Sequence, residues 1–330
     1  MSANLSLQAY SKPKSHFLFV LILVPIFFVI SFVLLSPYIG GDQKYYRNFY
    51  EAASSMSLSE AFFSQPFFVG SAEPIYALTV WTGASLNIDK DIYFSVFNVI
   101  LLCLITLNCL KYRISTLVIF LLLTNFYVIV LLTAAERLKL SFILILLAVY
   151  FEGRVRKSLL FVAPAAHFQT LILYAGVIFS YIPKPARHVK RSTLLRFVKY
   201  AIIASPPLIA FLFYFQETLI SKFLIYFSLA GRFSELIQWA IISVFGLVIL
   251  RDRWGAACAF ASMGCMILLL GGGRVNMILF FVLFILLQRE RKLTHPIMLV
   301  ILLYLSIKSV DFISNIFTYG HALPYYDDFE

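Results

Sequence analysis

Apolar runs of membrane-spanning length, separated by short basic loops, constrain this chain more than any other feature. The stretch from Phe17 to Ser36 carries no charge, and a helix needs roughly 20 apolar residues to cross the hydrocarbon of a bilayer. Of the 330 residues, 61% are hydrophobic and only 13% charged, whereas a soluble domain carries roughly 25% charged residues. The expected class is an all-α polytopic membrane protein, a single integral membrane domain over 1–330. A net charge of +11 does not point to nucleic acid, because the basic residues lie in loops between apolar runs. Retention of those loops on the cytoplasmic side and contact with anionic headgroups account for it. Cys103, Cys109, Cys258 and Cys265 lie inside apolar segments and read as small packing residues. The first run is too long for a signal-peptide core and lacks a small-residue cleavage site, so it reads as an uncleaved span.

Counting spans by the charge rule places Lys12 and Lys14 inside and the segment at about 37–91 outside. Ile92 to Leu110 returns to Lys111 and Arg113. Ile114 to Thr133 goes out again to the sequence Ala134 to Lys139 (AAERLK), and Leu140 to Phe151 comes back to Arg154, Arg156 and Lys157. A single span over 159–181 would leave Lys184, Arg187, Lys190, Arg191 and Arg196 outside, against the pattern. A re-entrant hairpin with its turn near Pro164 and His167 restores it. Its first half, from Leu159 to Ala166, would rise only about 12 Å and would need cover from protein or a water-filled cavity. Further crossings are expected at Lys199 to Phe215, Leu236 to Leu250, Gly255 to Leu270, Val275 to Leu287 and Pro296 to about Ile316. The expected total is about 9–11 transmembrane helices, the hairpin included.

A few charged or titratable residues fall on the other face, against the bias: Asp42, Glu73, Glu136, Arg137, Lys139, His167, Arg232 and Arg274. Such placement near a bilayer edge is costly and is usually kept for function. Asp42 follows a Gly-Gly turn in GGDQKYYRNFY (Gly40 to Tyr50), with tyrosines at helical spacing behind it. Glu73 precedes Pro74, which suits a helix start. Glu136 and Arg137 are adjacent and so point to different sides of a helix. Taken singly, these read as caps, snorkelling cations, a packed histidine and a glycine-rich turn at 271–274. Together, several cations and carboxylates at one face suit an anionic lipid-linked substrate. Arginine grips phosphate oxygens in a two-point fashion, and a carboxylate or histidine at a low-dielectric boundary suits a general base.

Gly-Asp followed by spaced aromatics, then Glu-Pro, then Glu-Arg opening a helix, then a histidine after a short apolar run, resembles the EpsG-type, Wzy-like polysaccharide polymerases. These belong to bacterial O-antigen, capsule and exopolysaccharide pathways. The resemblance covers roughly positions 38 to 180, and the later half mainly through hydrophobicity and isolated arginines. Where that family often has Arg-Gln, this chain has Arg137 and then Leu138. The resemblance implies a GT-C-like glycosyltransferase in the bacterial inner membrane, its N-terminus cytoplasmic and its active face periplasmic or extracellular. It would move a growing chain from one undecaprenyl-pyrophosphate carrier to the non-reducing hydroxyl of a second repeat unit. A chain-length regulator is a candidate partner, and no cofactor or metal is expected. In this reading Arg137, Arg274, Arg232 and Lys139 hold the donor pyrophosphate, and Asp42, His167, Glu136 or Glu73 takes the acceptor proton. Two other classes share part of this logic: a lipid-linked oligosaccharide flippase or transporter, and an O-antigen ligase.

Overall fold

The computed structural model describes residues 13–182, 232–270 and 272–322. Among these residues all regular structure is helical, and four helices are long and apolar enough to cross a membrane. They are α1 (Pro13–Leu35), α5 (Lys90–Lys111), α13 (Gly272–Arg289) and α14 (Pro296–Tyr319). The chain is therefore of the multi-pass helical membrane type. The expected crossing at 199–215 and the basic loop at 184–196 lie outside the described residues.

Two compact units form, Met1–Thr170 with Leu293–Glu330, and Leu171–Lys292. In the first, α1 packs along α5, and α5 also meets α8 (Glu136–Ala148), which in turn lies against α9 (Gly153–Ala166). Between α1 and α5, the expected external segment folds into three short helices: α2 (Asp42–Ala53), α3 (Leu58–Val69) and α4 (Pro74–Ser85). Local signals set each start. Gly41 adopts φ 56°, ψ −137° ahead of Asp42, a backbone open to glycine. Ser57 and Glu60 form a capping box for α3, and Pro74 opens α4. The three pack on one another through Phe49, Phe68 and Tyr76, with ring centroids 5.6 Å (Phe49–Phe68) and 6.2 Å (Phe49–Tyr76) apart.

The expected single span over Ile114–Thr133 is broken. α6 (Thr116–Leu123) and α7 (Phe126–Thr133) meet at a 48° bend. Asn125 caps α7 by accepting from the Tyr127 amide, and two serines of α14 answer the carbonyls the break frees. Ser306 Oγ donates to Leu121 O at 3.0 Å and Ser309 Oγ to Thr124 O at 2.8 Å. A break inside an apolar environment persists only with such internal partners. Near the expected hairpin, α9 starts earlier than foreseen, at Gly153, and ends at His167, whose extended backbone (φ −163°, ψ 119°) precedes α10 (Thr170–Phe179).

In the second unit α11 (Arg232–Ile249), α12 (Arg253–Leu270) and α13 pack pairwise. Glycines allow the close approach: Gly246 faces Phe260 and Gly264 faces Trp239, each leaving no room for a Cβ. The turn expected at 271–274 is helical from Gly272, whose amide donates to Glu235 on α11.

Candidate functional site

The head of α8 gathers the charges. Its first residue, Glu136, is wholly buried, and its carboxylate accepts from three donors. Lys90 Nζ lies 2.6 Å and Gln43 Nε2 2.8 Å from Oε1, and Tyr76 Oη lies 3.1 Å from Oε2. Gln43 binds across the group: its Oε1 accepts from Lys90 Nζ at 2.8 Å, and its amide nitrogen also donates to Thr133 O. A carboxylate out of water is tolerated when a cation and further hydrogen bonds take up its lone pairs, as here. One turn along, Lys139 is also wholly buried and donates to Asn98 Oδ1 at 2.6 Å. The ammonium groups of Lys90 and Lys139 lie 5.0 and 5.3 Å from the centre of the same ring, Phe94, whose π-face attracts cations.

Arg137 leaves α8 about 100° further round and enters a second group. Its Nη1 lies 2.9 Å from Glu73 Oε2 and donates also to Ser71 Oγ, while Nε reaches Tyr46 Oη at 3.4 Å. The other Glu73 oxygen, Oε1, lies 2.8 Å from His167 Nδ1. Glu73 therefore bridges a guanidinium and an imidazole. Burial alone would raise its carboxyl; the His167 hydrogen bond, the charge of Arg137 and the Ser71 hydroxyl outweigh that and hold it at about 2. Glu73 stands at the N-cap of α4 without capping it, so its side chain is released to this cluster. His167 Nε2 faces the side-chain carbonyl oxygen of Gln169, Oε1, at 3.1 Å. The break that frees His167 from helix is pinned by Ser141 of α8, which donates to Ala163 O at 2.7 Å and pairs with Thr170.

Of the eight residues expected at the site, Glu73 contacts both Arg137 and His167, and Glu136 and Lys139 share the α8 head with Arg137. Asp42 opens α2 one residue before Gln43, half-buried. Arg232 and Arg274 stand in the second unit, the former at the first residue of α11 and the latter half-buried near the start of α13. Lys90, Gln43, Tyr76, Ser71 and Asn98 complete the cluster and were not singled out. Lys90 meets the very criterion applied to the others, a cation at the non-basic end of a span. Its neighbours hide it: Asp89 caps α5 and Asp91 pairs with Arg47 at 2.9 Å, so the triplet reads as solvated loop. Gln43 is neutral, and a charge criterion is silent about it.

A scan against protein-family models matches none, and searches of curated proteins and of solved structures return no match.

Proposed function

We propose that the chain is a polysaccharide polymerase, a GT-C-like glycosyltransferase that joins undecaprenyl-pyrophosphate-linked oligosaccharide repeat units at the outer face of a bacterial inner membrane. In this reading the membrane domain makes nine crossings plus a re-entrant hairpin over 159–181 with its turn near His167. The observation that carries it is the Glu73 bridge: one carboxylate 2.8 Å from an imidazole nitrogen and 2.9 Å from an arginine nitrogen. A base and a phosphate-binding cation are thereby held at one point beside apolar helices.

The chemistry follows from those positions. With Nδ1–H donated to Glu73, neutral His167 turns Nε2 from Gln169 Oε1 to the acceptor hydroxyl, and Nε2 takes its proton. The hydroxyl oxygen forms its new bond to the anomeric carbon of the donor sugar, and the bond from that carbon to the pyrophosphate oxygen breaks. Undecaprenyl pyrophosphate leaves with the electron pair. Arg137 stabilises the negative charge that develops on it, an electrostatic contribution worth about 3 kcal/mol per well-placed donor in comparable sites, and Arg274 is tested beside it. Glu136 is engaged by Lys90, Gln43 and Tyr76, which suits it to positioning α8 rather than to proton transfer.

The test is a polymer gel from a host carrying the matching gene cluster, with the gene deleted and then complemented by wild type, His167→Ala and Arg137→Ala at equal membrane levels. Loss of the ladder with single repeat units left on the lipid carrier supports the polymerase. Lipid-linked units trapped inside, with no surface sugar, would move the assignment to a flippase. An unchanged ladder for both Arg137→Ala and Arg274→Ala would remove the pyrophosphate role.

A further inference from the structure

Helix α3 carries two phenylalanines that fit poorly with water. Phe63 and Phe67 are 78% and 89% exposed, and residues four apart lie one above the other on a helix face. Leaving such a side chain in water forgoes about 1.5–3 kcal/mol of burial. Yet α3 is well made: the Ser57–Glu60 capping box starts it, Gly70 ends it in the left-handed region, and Ala61 and Gln65 are buried on its other side. Its single charged residue, Glu60, is engaged by Ser57 in the first turn.

The position of α3 relative to the spans identifies what meets this face. Arg47 of α2 donates to Leu35 O at 3.0 Å, to Tyr38 O at 3.2 Å and to Asp91 at 2.9 Å. These groups are the end of α1 and the start of α5, so α2 is fastened onto the ends of two membrane-length helices. α3 packs on α2, and packed helices lie about 8–10 Å apart. The polar headgroup layer on each side of the hydrocarbon is about 5–8 Å deep. Along α1 the exposed apolar surface runs through Val29 and Val33 and continues past the helix end to Ile39. The lipid-facing surface of the span thus runs on toward the layer that holds α3.

We propose that α3 lies in the plane of the bilayer surface with Phe63 and Phe67 in the headgroup–acyl boundary, and so fixes the depth of the charged cluster. Exposed aromatic rings at that level bury about 5–10 Å into the headgroup–acyl boundary. Depth passes inward through a chain of side chains: Phe68 of α3 stacks on Phe49, Phe49 on Tyr76, and Tyr76 donates to Glu136. This placement is independent of the reaction proposed above.

The experiment uses the full chain in phosphatidylcholine–phosphatidylglycerol vesicles, with the four free cysteines changed to Ala. Phe63→Cys, Phe67→Cys and, as a water-facing control on α2, Glu51→Cys each receive a nitroxide. Collision with oxygen and with a water-soluble nickel chelate is read by power-saturation EPR. The expected result is an oxygen-to-chelate ratio several-fold higher at 63 and 67 than at 51. A ratio equal to that at 51 places α3 in water and overturns the proposal. Exclusion of both reagents means that protein covers the face, a second copy or another part of this chain, and overturns it equally.

Discussion

Glu73 Oε1 lies 2.8 Å from His167 Nδ1, across a separation of 94 positions in the sequence. The contact joins the head of α4 to the break after α9, and the second Glu73 oxygen extends it to Arg137 on α8. Three elements thus converge on one carboxylate, and its neutralisation should disturb fold and chemistry together.

Glu73→Gln leaves Arg137 buried without its carboxylate. Removing one partner of a buried pair costs about 3–5 kcal/mol, so the purified protein in detergent should unfold at a clearly lower temperature, and polymer should be lost. Replacing both partners, Glu73→Leu with Arg137→Met, removes the unpaired charge and should recover much of the stability with none of the activity. A double variant as unstable as the single one would show that the pair is not the source of the effect.

The acid stability of the protein should report the same carboxyl. Its value falls from an ordinary 4.5 to about 2 on folding. A carboxyl lowered by folding stabilises above its unfolded value and loses that contribution as pH falls through the folded one. Wild type should therefore keep this part of its unfolding temperature unchanged from pH 7 to about 5 and lose it between 4.5 and about 2. Glu73→Gln should lack that acid limb, and an identical limb in the variant would assign it elsewhere.

The charge rule finds Glu73, Arg137 and His167 from sequence because each sits against the bias at the end of an apolar run. It does not find what completes their surroundings. Gln43 and Asn98 are neutral, and Tyr76 looks like one of many aromatics, although each binds a buried charge at 3.1 Å or less. Hydropathy is equally blind to the break between α6 and α7, since both halves are apolar. The only local sign is Thr124-Asn125, a polar pair whose asparagine becomes an N-cap. Of the three helices at 42–85, the Gly-Gly turn before Asp42 signals the start of α2 and Pro74 that of α4. The Ser57–Glu60 capping box that starts α3 is a local pair to which a charge rule is blind.

Lys90 should matter as much as Glu136. Its ammonium is the cation on that buried carboxylate, 2.6 Å away. Lys90→Met should lower membrane accumulation and unfolding temperature to the same degree as Glu136→Gln. Combining Lys90→Met with Glu136→Gln should give less than the sum of the two single losses, because contacting residues do not act additively. Strict additivity in thermal unfolding would separate them.

Gly41→Ala should destabilise chiefly through the backbone, with a tight contact to the Tyr38 hydroxyl as the second source. At φ 56° and ψ −137° an alanine is held in a region essentially reserved for glycine, a strain of about 1–3 kcal/mol. The loss should appear as a lower unfolding temperature for the purified protein, and Gly153→Ala, with a positive φ and nothing within 4 Å of its Cβ, separates strain from crowding. Equal losses at both positions would assign the cost at Gly41 to backbone conformation rather than to its contact with Tyr38. A Gly41→Ala protein as stable as wild type would show that the turn relaxes.

The side of the membrane reached by α9 decides whether α8 crosses. α8 has 13 residues, which rise about 20 Å, short of a hydrocarbon layer of about 30 Å. Burial of Glu136 through Ile143 inside the protein relieves that mismatch, because lipid does not contact this part of the helix. A crossing by α8 would put Arg154, Arg156 and Lys157 on the side that the charge bias assigns to the cytoplasm. Both Glu51 and Lys157 are exposed and accept a reporter. In intact cells an impermeant thiol reagent should label Glu51→Cys, and should label Lys157→Cys only after permeabilisation. Labelling of both in intact cells would mean that α8 enters and returns, putting the basic head of α9 on the same face as the Glu73 cluster.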